Sequence, residues 1–414
     1  TTLDAQNIDI SSVGGSITVT AFIRDGAVAG IDGGSITGSV ADPSLDQVIR
    51  ALYVSGEGTQ LAANDLSITV NGKETTASNN ISFGLYIAAG ATVELTDSSI
   101  EANGFRTYGM TVDGSSVVAN NLTVETNGNS SHAVQAFNQG EASGGDSLIT
   151  LNGGTVTTQG VNSYGVYAQN AGSKVVSSAN VTTFGDVGFG AYALNGGEVS
   201  LVGGLIETHG LDAPGAKVEN DGILTVSNTQ IVAHNGMHLV NGAQVEITDS
   251  TLASGGTSLV AAFTEGGKVI DILVGEGAVI TENNGTLLQV VRGEDGGDGV
   301  VTLVLAQGST TSGNILDLDG KTSGGTDVTI EAGANWSGVM QGVRNFVTDP
   351  GDGEEPTEVS FDGFAEIGGD LAGNNTTYSF SDQGGSIDGN VVLMNGSKTT
   401  GGSLDSPVTI GGDV

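Results

Sequence analysis

The segments Gly165-Val166-Tyr167-Ala168 and Gly190-Ala191-Tyr192-Ala193, 25 residues apart, are the stretches that decide the fold class of this chain. Each is followed by a glycine turn and a second short run of alternating apolar residues. Further copies are Gly84-Leu85-Tyr86-Ile87, Gly109-Met110-Thr111-Val112, Ala133-Val134-Gln135-Ala136, Gly215-Ala216-Lys217-Val218, Gly236-Met237-His238-Leu239 and Ser258-Leu259-Val260-Ala261. Self-similarity at periods of about 20 to 50 residues is typical of solenoids and related repeat folds.

A third short strand pattern completes each unit, as in Leu122-Thr123-Val124 and Leu205-Ile206-Glu207. Three strands of alternating residues per unit predict an all-β chain, a three-stranded parallel β-helix (β-solenoid) of roughly 15–16 coils. A β-sandwich also uses short strands, but here they come in a fixed order of threes. Single coils are too small to bury an apolar face, so we expect stacking to form the core.

Alternation along the first strand predicts one inward and one outward column. The inward column is Leu85, Met110, Val134, Val166, Ala191, Ala216, Met237, Leu259, Leu288 and Leu316. The outward column is Tyr53, Tyr86, Thr111, Gln135, Tyr167, Tyr192, Lys217, His238, Val260, Gln289 and Asp317. Tyrosine is favoured at contacts with proteins and sugars because it offers a rigid amphipathic surface. The candidate ligand-binding residues are therefore the tyrosines of the outward column together with the basic residues of that column: Tyr53, Tyr86, Tyr167, Tyr192, Lys217 and His238. The alternative is that these rings only stack along the solenoid or lie beneath an inserted loop.

Excess length between repeats predicts where loops leave the solenoid. We expect a β-helix over 1–348 with inserted loops near 71–80, 139–145 and 292–299, an acidic loop over 349–358, and C-terminal coils of the same solenoid over 359–414. The composition break at Pro350 and Pro356 sets this boundary.

Composition excludes several classes of protein. There are 69 Gly but only 5 Pro, which argues against collagen and proline-rich disorder, and the absence of Cys excludes disulfides and thiolate metal sites. A net charge of −36 argues against nucleic acid as a partner, and no basic patch for heparin-type ligands is evident in the sequence. No apolar run approaches the ~18 residues of a membrane span. The start at Thr1 suggests a processed or truncated segment.

Two short motifs suggest chemistry. Gly145-Asp146-Ser147-Leu148 matches the nucleophile block of a lipase and esterase family, but it occupies the same repeat position as Gly172-Ser173-Lys174-Val175. Ser147 is therefore predicted to be a turn residue, and no catalytic residue is assigned, since none of the four histidines lies in a recognisable partner motif. The acidic turn 293–299 offers at most weak Ca²⁺ binding, so we predict no metal site and no cofactor.

Outward-facing carboxylates leave the cleavage of glycosides as an alternative activity. Glu94, Glu246 and Asp271 face outward, and glycoside hydrolysis requires two carboxylates about 5 to 10 Å apart. Acidic residues are abundant here, so such pairs carry little weight as evidence of catalysis.

The repeats around Tyr164-Gly165-Val166-Tyr167 and Gly190-Ala191-Tyr192-Ala193 resemble the passenger domain of Gram-negative autotransporters (type V secretion), in particular pertactin-like, antigen-43- and AIDA-type adhesins. The resemblance covers about 52–330. It implies a right-handed helix, an outer-membrane β-barrel translocator in the same precursor, and a bacterial cell-surface or secreted location. Two features depart from the family: Arg292-Gly293 is followed by Glu294 rather than Asp, and the proline-rich loop of some relatives is reduced to two prolines.

These observations favour a surface-displayed or secreted adhesin, not an enzyme. Its expected partner is a host extracellular-matrix protein, a glycan or an identical passenger on a neighbouring cell, with adhesion, aggregation or biofilm formation as the outcome. The alternative is a polysaccharide lyase or hydrolase on the same scaffold. A phage tail-fibre segment, which would form tight trimers, is a third possibility.

Overall fold

A computed structural model describes residues 2–76, 80–139, 145–282, 284–293, 295, 297–318, 324–331, 333–349, 357–361, 365–367, 371–374, 376–380, 384–387, 391–394, 397–401 and 408–410. Parts of the three predicted inserted loops (77–79, 140–144, 294 and 296) and most of the predicted acidic loop (350–356) lie outside these residues. The chain divides into two compact units, residues 1–217 with 222–224 and residues 218–221 with 225–414. Each unit is described by itself.

All regular elements in the described ranges are β-strands, and the strands pair in parallel to form long sheets in a solenoid-like arrangement. The all-β, parallel part of the fold prediction is confirmed. Over the same ranges, no helix is long and apolar enough to cross a membrane.

The strands of the first unit are β1 (Thr2–Gly14), β2 (Ile17–Arg24), β3 (Val28–Val40), β4 (Val48–Ser55), β5 (Gln60–Asn71), β6 (Ser82–Ala88), β7 (Thr92–Thr96), β8 (Ser99–Asn103), β9 (Thr107–Asp113), β10 (Ser116–Asn120), β11 (Thr123–Thr126), β12 (Val134–Phe137), β13 (Ser147–Asn152), β14 (Thr155–Thr158), β15 (Val166–Gln169), β16 (Ser173–Ser177), β17 (Asn180–Thr183), β18 (Ala191–Leu194), β19 (Glu198–Leu201) and β20 (Leu205–Thr208). β21 (Pro214–Glu219) and β22 (Ile223–Ser227) include residues of both units.

Between β6 and β20, each strand pairs with the third strand after it, as β6 with β9, β9 with β12 and β12 with β15. The N-terminal repeats differ, because one long strand there takes two positions of the repeat. β5 pairs with β7 through residues 60–64 and with β8 through residues 67–71. Asp65 lies between these halves at φ 52°, a left-handed conformation that Asp and Asn adopt more readily than most residues. The chain therefore turns within β5.

The strands of the second unit are β23 (Gln230–Ala233), β24 (Asn235–Val240), β25 (Gln244–Thr248), β26 (Thr251–Ser254), β27 (Leu259–Phe263), β28 (Val269–Val274), β29 (Val279–Glu282), β30 (Thr286–Arg292), β31 (Val300–Leu305), β32 (Thr310–Ser312), β33 (Asn314–Leu316), β34 (Gly325–Glu331), β35 (Asn335–Gly338), β36 (Met340–Gln341), β37 (Val343–Asp349), β38 (Thr357–Phe361), β39 (Ala365–Ile367), β40 (Leu371–Asn374), β41 (Thr376–Phe380), β42 (Gly385–Ile387), β43 (Val391–Met394), β44 (Lys398–Gly401) and β45 (Val408–Ile410). Pairing at every third strand recurs here, as β24 with β27 and β27 with β30.

The predicted inward column is confirmed up to Leu288. Its members Leu85, Met110, Val134, Val166, Ala191, Ala216, Met237, Leu259 and Leu288 are all fully buried. Each buries apolar area worth roughly 25 cal/mol per Å². Alternation along the strand therefore located the core.

The final step of both predicted columns is wrong. Leu288 pairs with Ile315, not Leu316, because the register shifts between Thr286 and Leu288. Ile315 is fully buried, and Leu316 takes the outward position beside Gln289. Asp317, predicted to face outward, is fully buried instead.

Close contact between successive repeats explains the glycine that opens the repeated segment. A Cβ on Gly165 would lie 2.6 Å from the backbone oxygen of Gly190, and one on Gly84 would lie 2.7 Å from that of Gly109. Real Cβ atoms essentially never approach an oxygen this closely. At Gly84 and Gly165 the neighbouring strand therefore leaves no room for a side chain, whereas the same position carries Ala133 and Ser258 in two other repeats.

Candidate functional site

The predicted outward residues of the first unit form a continuous column, the tyrosine ladder, consisting of Tyr53, Tyr86, Thr111, Gln135, Tyr167 and Tyr192. The strand register pairs each member with the next. Tyr167 and Tyr192 stack with ring centroids 4.9 Å apart and planes 9° apart, whereas Tyr53 and Tyr86 are tilted at 5.3 Å. Stacked rings on one sheet face stabilise the pairing of neighbouring strands.

A second column, the leading ladder, runs beside the first and was missed in the sequence. It consists of Arg50, Phe83, Tyr108, His132, Tyr164 and Phe189. His132 stacks on Tyr164 at 4.2 Å, and Tyr164 stacks on Phe189 at 4.7 Å. The signal was present as a constant spacing, since each member lies three residues before its counterpart in the tyrosine ladder.

The two ladders contact each other edge to face. Tyr164 meets Tyr192 at 5.2 Å and 85°, and Phe189 meets Tyr192 at 5.3 Å and 83°. Tyr167 and Tyr192 are consequently only 5% and 6% exposed. These two candidate residues offer a ligand little surface, whereas Tyr53 and Tyr86 are half-buried and retain more.

An open cleft of about 530 Å³ lies over the two ladders, from Arg50 to Tyr167. Its described lining is Ile17, Val48, Arg50, Asn80, Ile81, Phe83, Tyr86, Arg106, Tyr108, Thr111, His132, Gln135, Phe137, Gln139, Tyr167 and Gln169. Aromatic faces thus stand beside planar amides and two guanidinium groups. Ligand pockets commonly combine apolar walls with a few placed polar groups.

Two arginines supply the charge of the cleft. The Arg50 guanidinium lies 5.0 Å from the ring centroid of Tyr53 and 4.9 Å from that of Tyr86, which are cation–π distances. Within the described part of the chain, the Nε atoms of Arg50 and Arg106 are buried without a hydrogen-bond partner. Such donors are costly to bury unless a ligand or water satisfies them.

One carboxylate orients two groups at the cleft. Asp113 is buried, and its Oδ2 accepts hydrogen bonds from the Tyr86 hydroxyl and from the Gln139 Nε2, each at 3.1 Å. Burial, with the Asp113 carboxylate as the next cause, raises the pKa of Tyr86 well above its ordinary value. Tyr86 is therefore a neutral hydrogen-bond donor at physiological pH.

Burial also keeps His132 neutral. It lowers the His132 pKa to about 3, with the positive charge of Arg106 as a smaller contribution. The Nδ1 of His132 accepts a hydrogen bond from the Tyr164 backbone N–H at 3.2 Å, so the proton of the neutral ring lies on Nε2. Burial likewise raises the pKa of Tyr108 to about 12.

Of the six candidate binding residues, Tyr86 and Tyr167 belong to this lining, whereas Tyr53, Tyr192, Lys217 and His238 do not. The Lys217 ammonium is 5.4 Å from the Tyr192 ring centroid and 5.6 Å from that of Phe189, at the C-terminal end of both ladders. His238 belongs to the second unit, where it pairs with Val260.

Ser147, the serine of the lipase-like motif, is hydrogen-bonded to the backbone of adjacent segments. The predicted alignment places Ser147 opposite Lys174, but Ser147 pairs in register with Ser173, one residue earlier, and it opens β13 instead of lying in a turn. Its buried Oγ donates to the Phe137 backbone oxygen at 2.8 Å and accepts from the Gly114 N–H at 2.7 Å. Both bonds hold the backbone of adjacent segments.

The predicted acidic candidates are distributed over both units. Glu94 is exposed on β7 of the first unit, and Glu246 and Asp271 are exposed on β25 and β28 of the second. In the partly described turn 293–299, Asp298 accepts a hydrogen bond from the Gly267 N–H at 2.7 Å. The adjacent Arg292 forms a buried two-pronged ion pair with Asp317.

A second cleft, of about 460 Å³, lies in the second unit. It is lined mainly by threonine and serine, with Trp336, and no ionisable side chain is among its described lining residues. The cleft of the first unit therefore offers the wider range of functional groups, since its lining includes guanidinium, imidazole and phenol groups.

Comparison with known proteins finds no matching family model, and no curated protein matches the chain.

Proposed function

We propose that this protein is an adhesin, displayed on a bacterial surface or secreted, that binds its partner through the cleft of the first unit. The observation that carries this proposal is the combination of half-buried aromatic rings, planar amides and guanidinium groups in one open cleft. Aromatic faces pack on sugar rings and protein side chains, and amides supply directional hydrogen bonds. The partner is a glycan, a host matrix protein or an identical passenger.

We also propose that the scaffold is a right-handed three-stranded parallel β-helix of the autotransporter-passenger type. Parallel pairing at every third strand supports three strands per coil. The hand, the type of secretion and the outer-membrane translocator rest on the resemblance of the repeats. The complete gene sequence tests the type of secretion and the translocator, because a passenger and its translocator share one precursor, whereas an experimental structure tests the hand.

Binding of the full chain to arrays of glycans and matrix proteins tests the adhesin proposal. Gln169 is half-buried in the cleft lining, and Gln289 is an exposed mid-strand glutamine of the second unit. We expect Gln169→Ala to weaken binding about tenfold by removing a directional hydrogen bond, and Gln289→Ala to leave binding unchanged. Equal loss in both variants, or no binding to any array, contradicts the proposal.

Self-association is tested separately by flocculation of cells that display the protein, measured across ionic strength. A chain of charge −36 repels its copies, so clumping should increase with salt. An absence of clumping at every salt concentration removes this branch. New reducing or unsaturated ends in glycans incubated with the protein would instead support the lyase or hydrolase alternative.

A further inference from the structure

We propose that the cleft of the first unit binds an acidic saccharide, whose carboxylate or sulfate is held by Arg50 and Arg106. This inference rests on the proposed binding function and narrows it to one chemical class of ligand.

The local charge of the cleft is opposite to that of the chain. The chain has 47 Asp and Glu against 11 Lys and Arg, yet the described cleft lining includes two arginines and no carboxylate. A lining drawn at random from this composition would hold more acids than bases. The surface is therefore locally suited to an anion within an acidic molecule.

The fold itself does not require arginine at position 106. Arg106 has φ 49°, and the turns of following repeats contain Ser130 at φ 52° and Asn162 at φ 53°. Each precedes its leading-ladder ring by two residues. Serine and asparagine thus satisfy the same backbone geometry, so the cation at position 106 needs another explanation.

Arg50 replaces an aromatic ring in the leading ladder. It pairs with Phe83, which pairs with Tyr108 in the next repeat. The guanidinium packs against Tyr53 and Tyr86 and is thereby held in place, while its Nε has no partner among the described residues. A planar guanidinium so positioned can donate two parallel hydrogen bonds to a carboxylate or sulfate.

The two arginines are spaced for one ligand. Arg50 pairs with Phe83, which pairs with Tyr108, so Arg50 and Tyr108 lie two strand spacings apart. Arg106 lies two residues before Tyr108 along the chain. The backbones of the two arginines are therefore roughly 12 Å apart. Both are long side chains that line the same cleft, and the rings of Phe83, Tyr86 and Tyr108 line it with them. This arrangement suits a sugar ring bearing an anionic group.

Two nearby carboxylates hold residues of the lining, although the Oδ1 of Asp113 is buried without a hydrogen-bond partner among the described residues. Asp113 accepts hydrogen bonds from Tyr86 and Gln139, and Asp46 accepts them from Lys73 at 2.6 Å and from Asn80 at 2.8 Å. Tyr86, Gln139 and Asn80 also line the cleft. Each amide keeps a second N–H that can be donated to a ligand, whereas the Tyr86 hydroxyl, whose proton goes to Asp113, can only accept. Neutral donors and ring faces favour a saccharide over a compact ion such as phosphate.

Calorimetric titration of the full chain tests this inference with three kinds of probe. These are a uronic-acid oligosaccharide and its carboxyl-reduced neutral counterpart, a sulfated oligosaccharide, and non-sugar anions, namely oligoglutamate and inorganic phosphate. We expect at least about tenfold tighter binding of an acidic saccharide than of its neutral counterpart or the non-sugar anions.

The variants are chosen to preserve the fold. Arg106→Asn introduces the residue type that occupies the equivalent turn position at Asn162. Arg50→Phe introduces the residue type that its strand partner Phe83 has in the leading ladder. Arg24→Gln, which removes an exposed cation of β2, is the matched control. We expect each cleft variant to lose about tenfold in affinity for the acidic saccharide only, and the control to lose none.

Each contrary outcome has a distinct meaning. Equal binding of acidic and neutral saccharides, unchanged by the arginine variants, overturns this inference and leaves the adhesin proposal standing. Equally tight binding of oligoglutamate or phosphate overturns the assignment to saccharides. Binding of a matrix protein with no saccharide bound likewise overturns the inference alone, whereas no binding to any glycan, matrix protein or second copy overturns both.

Discussion

His132 lies flat against Tyr164, with ring centroids 4.2 Å apart and planes inclined by 8°, and its Nδ1 accepts the Tyr164 backbone N–H at 3.2 Å. The imidazole is thus both a member of an aromatic stack and a hydrogen-bond acceptor for the next repeat. Only the neutral ring can accept this bond, which links protonation of His132 to folding.

This link predicts a pH dependence of stability. Burial lowers the His132 pKa from 6.5 to about 3, so between these values the unfolded chain binds a proton that the folded chain does not. The contribution of His132 to stability is therefore complete above pH 6.5 and is lost progressively as pH falls toward 3. The loss amounts to a few kcal/mol at most.

Comparison with His132→Asn isolates this effect. Asparagine can retain the acceptor but does not titrate, and the carboxylates common to both proteins cancel in the difference. We expect urea unfolding between pH 4 and 8 to show a steeper loss of stability at low pH in the wild type. Parallel pH curves for the two proteins would contradict the prediction.

Gly165, at the start of its first strand, should be intolerant of a side chain. In Gly165→Ala, the new Cβ would lie 2.3 Å from Val181 Cγ1 and 2.6 Å from the Gly190 oxygen, so neighbouring repeats must move apart. We expect a loss of about 1–3 kcal/mol in the free energy of unfolding, measured by urea denaturation. Gly15→Ala, where a Cβ meets nothing within 4 Å, is the control and should stay within about 0.5 kcal/mol.

The buried ion pair of Arg292 with Asp317 should be essential to the second unit. Their side chains are 3% and 0% exposed, and Thr326 donates a further hydrogen bond to Asp317 at 2.7 Å. Asp317→Asn leaves a buried guanidinium uncompensated and should cost about 3–5 kcal/mol in thermal or urea unfolding. Glu198→Gln, which removes the exposed pair with Lys174, should cost less than about 1 kcal/mol. Similar losses in both variants would refute this contrast.

Ser147 should matter for folding and not for ester hydrolysis. Ser147→Ala leaves the buried Gly114 N–H without its acceptor and should cost about 1–3 kcal/mol. Ser173→Ala, at the same repeat position, removes a hydrogen bond to the Gln169 oxygen and should likewise destabilise the chain. A chromogenic ester assay checks the chemistry, and hydrolysis that is lost in Ser147→Ala but retained in Ser173→Ala would show that Ser147 is a nucleophile.

Local alternation was enough to predict most of the core. Leu85, Met110 and Val134 are buried as expected because inward and outward positions follow from a period of two along each strand. The same rule failed between Thr286 and Leu288, where a register shift moved Ile315 inward and Asp317 into a buried ion pair. A bulge depends on pairing with the neighbouring strand, so alternation within one strand does not reveal it.

The repeat in the sequence by itself determined that the chain is all-β, that its strands pair in parallel, and which face carries Tyr53 and Tyr86, because these follow from periodicity and spacing. The tertiary structure alone decided how much of each ring remains accessible, since Tyr167 and Tyr192 are covered by the leading ladder. It also decided that Arg50 and Arg106 line one cleft, although 56 residues separate them in the chain. The physical reason is that stacking of repeats brings together positions whose proximity depends on the lengths and turns of every intervening segment.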